Sequence, residues 1–241
     1  NDRIRRLRLA NIPPTARAGT TQQVECASAS GATVVLDASG SFDGDSTPGT
    51  RDDIHSFEWF EDYGLSSQAL LGEGARVELL LPLGPHDVTL QVTDSAGATG
   101  TDSLLVAVVD TVPPVMSVTL TPVVLWPPDH RMVDVRALVT TGDACGPSAL
   151  TLLWATSSEL DDAPGSGDGH TLRDIQAADL GTPDFELKLR AERSGTGQGR
   201  TYTITYRGTD PSGNATDASG TYPRRVSISV SCSREGASFT T

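Results

Sequence analysis

Asp87-Val88-Thr89-Leu90-Gln91-Val92 alternates polar and apolar side chains without a break. Thr93-Asp94 then leads into the turn residues Ser95-Ala96-Gly97, and Ser103-Leu104-Leu105-Val106-Ala107-Val108-Val109 resumes the apolar run. A period of two puts every second side chain on one face of an extended strand, and two such runs around a turn make a hairpin. The same grammar continues in both directions. Strands are expected at Thr33–Leu36, Val77–Leu81, Val115–Leu120, Met132–Val139, Leu150–Ala155, Phe185–Arg190, Thr201–Tyr206 and Val226–Val230. Turn chemistry separates them, as in Asp210-Pro211-Ser212-Gly213-Asn214 and Gly195-Thr196-Gly197-Gln198-Gly199. No run has a helical period, so the chain reads as all-β, with sheets packed face to face.

At 241 residues the chain has room for two modules of about 100–120 residues each. Aromatics are only 5% of the residues, so the cores must be built from Val, Leu, Ile and Ala. Val109-Asp110-Thr111-Val112-Pro113-Pro114 marks a stiff, extended connection, because two prolines fix φ. Asn11-Ile12-Pro13-Pro14 is a similar break. The expected division is a tail at 1–12, a first module at 13–110, a second at 113–232 and a tail at 233–241. The opening Asn1-Asp2-Arg3-Ile4-Arg5-Arg6 reads as the end of a preceding strand rather than a targeting signal, which implies a piece of a longer chain.

The formal net charge is −13, and Lys188 is the only lysine. Such a surface repels nucleic acid and anionic lipid, so neither is an expected partner. No run of apolar residues is long enough to insert in a membrane as a helix. The three cysteines, Cys26, Cys145 and Cys232, form no C-x-x-C motif. An odd count permits one disulfide and one buried thiol: Cys145 and Cys232 lie in the same half and are a candidate pair, with Cys26 as a small core residue.

The first module resembles a PKD (polycystic kidney disease) domain. The residues that carry the resemblance are Val35 to Asp45 (VLDASGSFDGD), Ile54 to Trp59 (IHSFEW) and Leu83 to Ala98 (LGPHDVTLQVTDSAGA). It departs after Trp59, where Phe60-Glu61-Asp62-Tyr63-Gly64 stands in place of the family's W-D-F-G-D-G. The second module is similar to the bacterial Ig-like and HYR-like (hyalin repeat) modules, on Leu125 to Val135, Leu189 to Gly195 and Tyr202 to Asn214. Together these resemblances imply two tandem Ig-like antiparallel β-sandwiches in a bacterial protein that is extracellular or at the cell surface.

Calcium is the sharpest chemical expectation. It takes six to eight oxygen ligands, best supplied by carboxylates and carbonyls on loops. Asp43 and Asp45 alternate on one loop and Asp94 ends a strand; the PKD resemblance implies these three as calcium ligands, with a backbone oxygen near Asn11. Asp52 and Asp53 add negative charge nearby. The competing reading is that these aspartates cap turns. A second acidic cluster, Glu159, Asp161, Asp162, Asp168 and, beyond it, Asp174, lies on a long loop without EF-hand order. Its alternatives are a metal site and a solvated acidic loop. Asp110 is a candidate ligand for a cation in the linker. Trp59 and Trp154 are expected in cores, and Trp126 as a plug at the end of a sandwich rather than a sugar platform.

Catalytic signatures are absent: there is no H-E-x-x-H, G-x-S-x-G or S-x-x-K, and the four histidines are dispersed. The chain is therefore expected to be no enzyme but a structural or adhesive segment, rigidified by calcium, that contacts other extracellular proteins or copies of itself. One alternative is an accessory module of a secreted hydrolase that binds polysaccharide or matrix protein. The other is a subunit of an extracellular filament joined through edge strands.

Overall fold

A computed structural model describes residues 10–164, 167–195, 199–222 and 231–233. The chain divides into two compact units, Asn1–Asp110 and Thr111–Thr241. All regular structure among the described residues is β. The expected strand Val226–Val230 and the expected C-terminal tail beyond Ser233 lie outside the described residues.

The first unit contains β1 (Gln22–Glu25), β2 (Ala32–Asp37), β3 (Ile54–Glu61), β4 (Ala69–Glu73), β5 (Arg76–Leu81), β6 (Gly84–Asp94) and β7 (Thr99–Val109). They form a five-stranded sheet in the order β1-β7-β6-β3-β4 and a two-stranded sheet β2-β5. Alternation fixes which side chains turn inward. Val88, Leu90 and Val92 of β6, Leu104, Val106 and Val108 of β7, and Val34 and Leu36 of β2 are all buried. Trp59 is fully buried, and its indole Nε1 donates to the Gly74 carbonyl at 3.0 Å. One pairing departs from the antiparallel expectation: β1 runs parallel to β7, Gln22 opposite Val106 through Glu25 opposite Val109. A hairpin cannot make such a pair, and here the rest of the unit serves as the crossover between the first strand and the last.

His86, on β6, is buried with acceptors at both ring nitrogens: the Glu61 carboxylate at 2.6 Å and the Pro82 carbonyl at 2.9 Å. Only the imidazolium donates at both positions. Burial opposes that charge, but Glu61 and Pro82 prevail, and the pKa stands above its ordinary value. A raised folded-state pKa stabilises the unit below the unfolded value of about 6.5, and that stabilisation is lost as pH rises through the folded pKa. Unfolding free energies from pH 6 to pH 9 are expected to fall more steeply in the wild type than in His86→Gln. Parallel curves would remove the imidazolium.

The second unit contains β8 (Val115–Thr121), β9 (Met132–Gly142), β10 (Ala149–Ser157), β11 (Ile175–Gln176), β12 (Glu186–Arg190), β13 (Tyr202–Thr209), β14 (Ala215–Tyr222) and β15 (Ser231–Ser233). Two four-stranded sheets, β10-β13-β14-β15 and β11-β12-β9-β8, enclose one core. Val118, Leu120, Val135, Leu152, Leu187, Leu189, Ile204 and Tyr206 lie at its centre. Close packing depends on two glycines: a Cβ at Gly208 would stand 2.6 Å from the Met116 sulfur, and one at Gly220 would stand 2.8 Å from Leu120 Cγ. Tyr206 stacks on Phe185 at 5.6 Å and donates its hydroxyl to the Asp184 carbonyl.

Cysteine chemistry departs from the expectation. Cys26 is disulfide-bonded rather than a core thiol, and Cys145 is disulfide-bonded as well. The side chain of Cys232, its expected partner, lies outside the described residues.

Candidate metal centre

The long connection between β2 and β3 carries Asp43, Asp45 and Asp53, and the fold gathers one oxygen from each within 4.8 Å of the others. Asp43 is buried, with Oδ1 accepting from the Asp45 amide at 3.2 Å and Oδ2 left without a hydrogen-bond partner. Asp45 Oδ2 accepts from the Ile12 amide at 3.1 Å. Asp53 accepts from the Ser95 hydroxyl, and its own carbonyl accepts from the Ser95 amide at 2.8 Å. Burial pushes the Asp43 carboxyl up, and the neighbouring Asp45 and Asp53 push the same way. Among the described residues no cationic side chain pairs with any of the three. Three carboxylates and an orphaned buried oxygen are the donor set that a hard divalent cation takes.

Asp94 does not join that cluster. Its Oδ1 accepts from the Ala96 and Ala98 amides at 2.9 and 2.8 Å, and its Oδ2 accepts from the Asn11 side-chain amide at 2.7 Å. The Asn11 bond, ahead of the turn amides, holds its pKa below the usual range. Asp94 is thus the turn cap of the competing reading, and Asn11 meets the unit through its amide group. Asn11 and Ile12, placed in a tail by sequence, are bonded into the first unit. Asp52, too, is a cap: bonds from the Thr47 and Thr50 hydroxyls bring its pKa down to about 2. Sequence reasoning gave Asp53 only as added negative charge nearby, because nothing local shows that the seven residues between them return it to Asp45. Asp110, the linker candidate, is buried.

In the second unit, Asp168 and Asp174 come together, but with Glu192, and around an arginine. Asp168, Asp174 and Glu192 each bring one oxygen within 4.8 Å of the others. Arg200 donates Nη2 to Asp168 at 2.5 Å and Nη1 to Glu192 at 3.0 Å, and it pairs with Asp174 as well. Its Nε reaches Glu159 at 3.4 Å. Arg190 adds a bond to Asp174 Oδ1 at 3.1 Å. The guanidinium of Arg200 therefore stands among the carboxylates for which a metal was one of the two sequence readings. Asp161 and Asp162 stay outside this centre: Asp161 accepts from the Arg173 and Asp174 amides, and Asp162 meets His170 at 3.0 Å. Glu192 and Arg200 were both missed. A signal existed for Arg200, which continues the inward set Tyr202, Ile204, Tyr206 two residues upstream; a cation at an inward position demands buried carboxylates.

No family model matches the sequence, so the PKD and HYR likenesses stand as resemblances, and no curated protein matches it either. Among solved structures, the chain aligns with fibronectin(III)-like modules of CbhA from Clostridium thermocellum at 13% identity. That alignment covers 86% of this chain and 90% of the other, with a TM-score of 0.27. The N-terminal four Ig domains of Dscam1 isoform 6.9 align at 13% identity over 88% of this chain and 45% of theirs, with a TM-score of 0.35. A 1.5-MDa bacterial ice-binding adhesin aligns at 12% identity over 89% and 65%, with a TM-score of 0.31. The chain spans less than half the length of the Dscam1 chain. Likeness at this level carries nothing about function or ligands.

Proposed function

We propose that the chain is a non-catalytic structural or adhesive segment of an extracellular or cell-surface protein, whose first unit is rigidified by calcium at Asp43, Asp45 and Asp53. The observation behind the calcium is the Asp43 Oδ2 atom, buried and unpartnered beside two further carboxylates. A bound divalent cation supplies the charge that these groups lack, and because it binds only the folded state it adds RT ln(1 + [L]/Kd) of stability. No helix of the described residues is long and apolar enough to cross a membrane. Partners in this reading are other extracellular proteins or further copies of the chain.

Thermal melts in calcium and in chelator test it. At calcium a hundredfold above Kd the first unit gains about 2.7 kcal/mol, read as a rise of several degrees in its melting temperature. Asp43→Asn is expected to melt higher than the wild type in chelator, because it removes a buried unpaired charge, and to lose the calcium response. Identical wild-type melts with and without calcium would end the calcium reading. A second reading, an accessory module that holds a substrate for a secreted hydrolase, is favoured by one observation: Trp154 is 60% exposed on a sheet face.

A further inference from the structure

The expectation for Trp154 was a core position, since Leu152, two residues before it, faces inward. The register shows why it is outside. Leu152 pairs with Tyr206 and Trp154 pairs with Thr205, so Leu153 is an extra residue on β10. That bulge reverses the parity of the strand. Leu152 and Tyr206 are fully buried, while Trp154 stands in solvent. A bulge gives up ladder bonds and re-aims the side chains that follow it; here the side chain re-aimed is the largest in the repertoire.

The face it reaches is largely polar. Trp154 lies in one row with Thr205 and Ser219, whose hydroxyls are 2.8 Å apart. The next row is Thr156, Thr203 and Thr221. On the other side of the Trp154 row, Arg207 is bound to Asp217 through two bonds of 2.7 and 2.8 Å, so its charge is compensated. The opposite sheet presents instead an ionic surface, with Lys188 paired to Asp134 and Arg136 to Glu186. The outward face of β10, β13 and β14 thus carries two rows of hydroxyl side chains, one compensated ion pair and one indole.

We propose that the β10-β13-β14 face binds a neutral polysaccharide, with the indole of Trp154 stacked on the C–H face of a pyranose ring and the hydroxyl rows exchanging hydrogen bonds with its hydroxyls. Each element of the face matches that ligand. An exposed indole offers a flat apolar surface. Hydroxyls both donate and accept, as sugar hydroxyls do. Among the described residues of these three strands the charged outward side chains, Arg207 and Asp217, compensate each other, and the chain's net charge of −13 opposes polyanions. A second copy of the chain, or another protein, is a poor occupant. Trp154 is the one large exposed hydrophobic side chain among the described residues of these three strands, whereas a stable protein interface buries about 800 Å² on each side around an apolar centre.

The test is retention of the full chain on cellulose, xylan and starch, with heparin and collagen as contrasts. The expected result is retention on at least one neutral polysaccharide. Trp154→Ala is expected to weaken it at least tenfold with an unchanged melting temperature, and Trp154→Phe to keep most of it. Should Trp154→Ala melt lower than the wild type, Thr205→Val carries the comparison and is expected to bind several-fold more weakly. A soluble oligosaccharide of the retaining polymer is expected to quench wild-type tryptophan fluorescence. Asp43→Asn is expected to bind as the wild type does, so loss of the calcium reading leaves this one standing. Retention on none of the three neutral polymers, retention on heparin or collagen alone, or equal retention by folded Trp154→Ala would overturn it.

Discussion

Arg200→Met is expected to cost the second unit about 3–5 kcal/mol, the usual consequence of breaking a buried ion pair from one side. Its side chain is 1% exposed, and it bonds directly to Asp168, Asp174 and Glu192, each no more than 1% exposed at its side chain. Methionine fills most of the volume and none of the charge. Even with Arg200 present, burial raises the Asp168 pKa, with Glu192 adding to the effect, and Asp168 Oδ2 has no partner. Four carboxylates face two guanidinium groups in this centre, so removing one leaves a deficit that only protonation or unfolding relieves. Urea unfolding followed by far-ultraviolet circular dichroism reads the effect as a lost or early transition of the second unit. Adding Asp168→Asn and Glu192→Gln to Arg200→Met is expected to recover part of the loss, because the penalty is stranded charge rather than a missing attraction. A single variant within about 1 kcal/mol of the wild type would show that these carboxylates are already protonated in the native chain.

Trp59→Ala is expected to be as damaging in the first unit, at about 3–5 kcal/mol. The indole has no exposed surface, so its removal leaves a cavity, and the Gly74 carbonyl loses its donor. A single domain is stable by only about 5–15 kcal/mol, so the first unit then approaches unfolding at room temperature. Trp154→Ala, by contrast, is expected to stay within about 0.5 kcal/mol of the wild type, as exposed substitutions do. Urea midpoints of the two variants, measured by circular dichroism because both change fluorescence, make the comparison. A Trp59→Ala loss below 1 kcal/mol would mean that the core collapses into the space.

These two tryptophans show what the sequence makes legible. Both sit among apolar residues on period-two strands, and both read as core. Period two locates Trp59 correctly because β3 keeps its register against β6 from Ser56 onward. It misplaces Trp154 because one bulged residue reverses the parity, and bulges leave no mark in composition. Trp126, read as a plug, is 61% exposed for a different reason: it belongs to the irregular segment between β8 and β9, where period has no meaning. β14 was invisible as a strand because its inward side chains are Ala218, Gly220 and Tyr222, two of them too small to register as apolar. The calcium candidates were half legible. Asp43 and Asp45 share a loop and can be read as a pair, but the choice of Asp53 over Asp94 depends on which carboxylate the turn amides and Asn11 consume first. That is a property of tertiary placement.

The parallel pairing of β1 with β7 bears on a protein that is stretched. These are the first and last strands of the first unit, and they run the same way. Tension applied across the unit from its two ends slides them past one another along their length. Their hydrogen bonds then carry the load together, in shear, instead of parting one at a time as in an unzipped hairpin. Pulled in this direction, the first unit resists as a clamp rather than as a zipper.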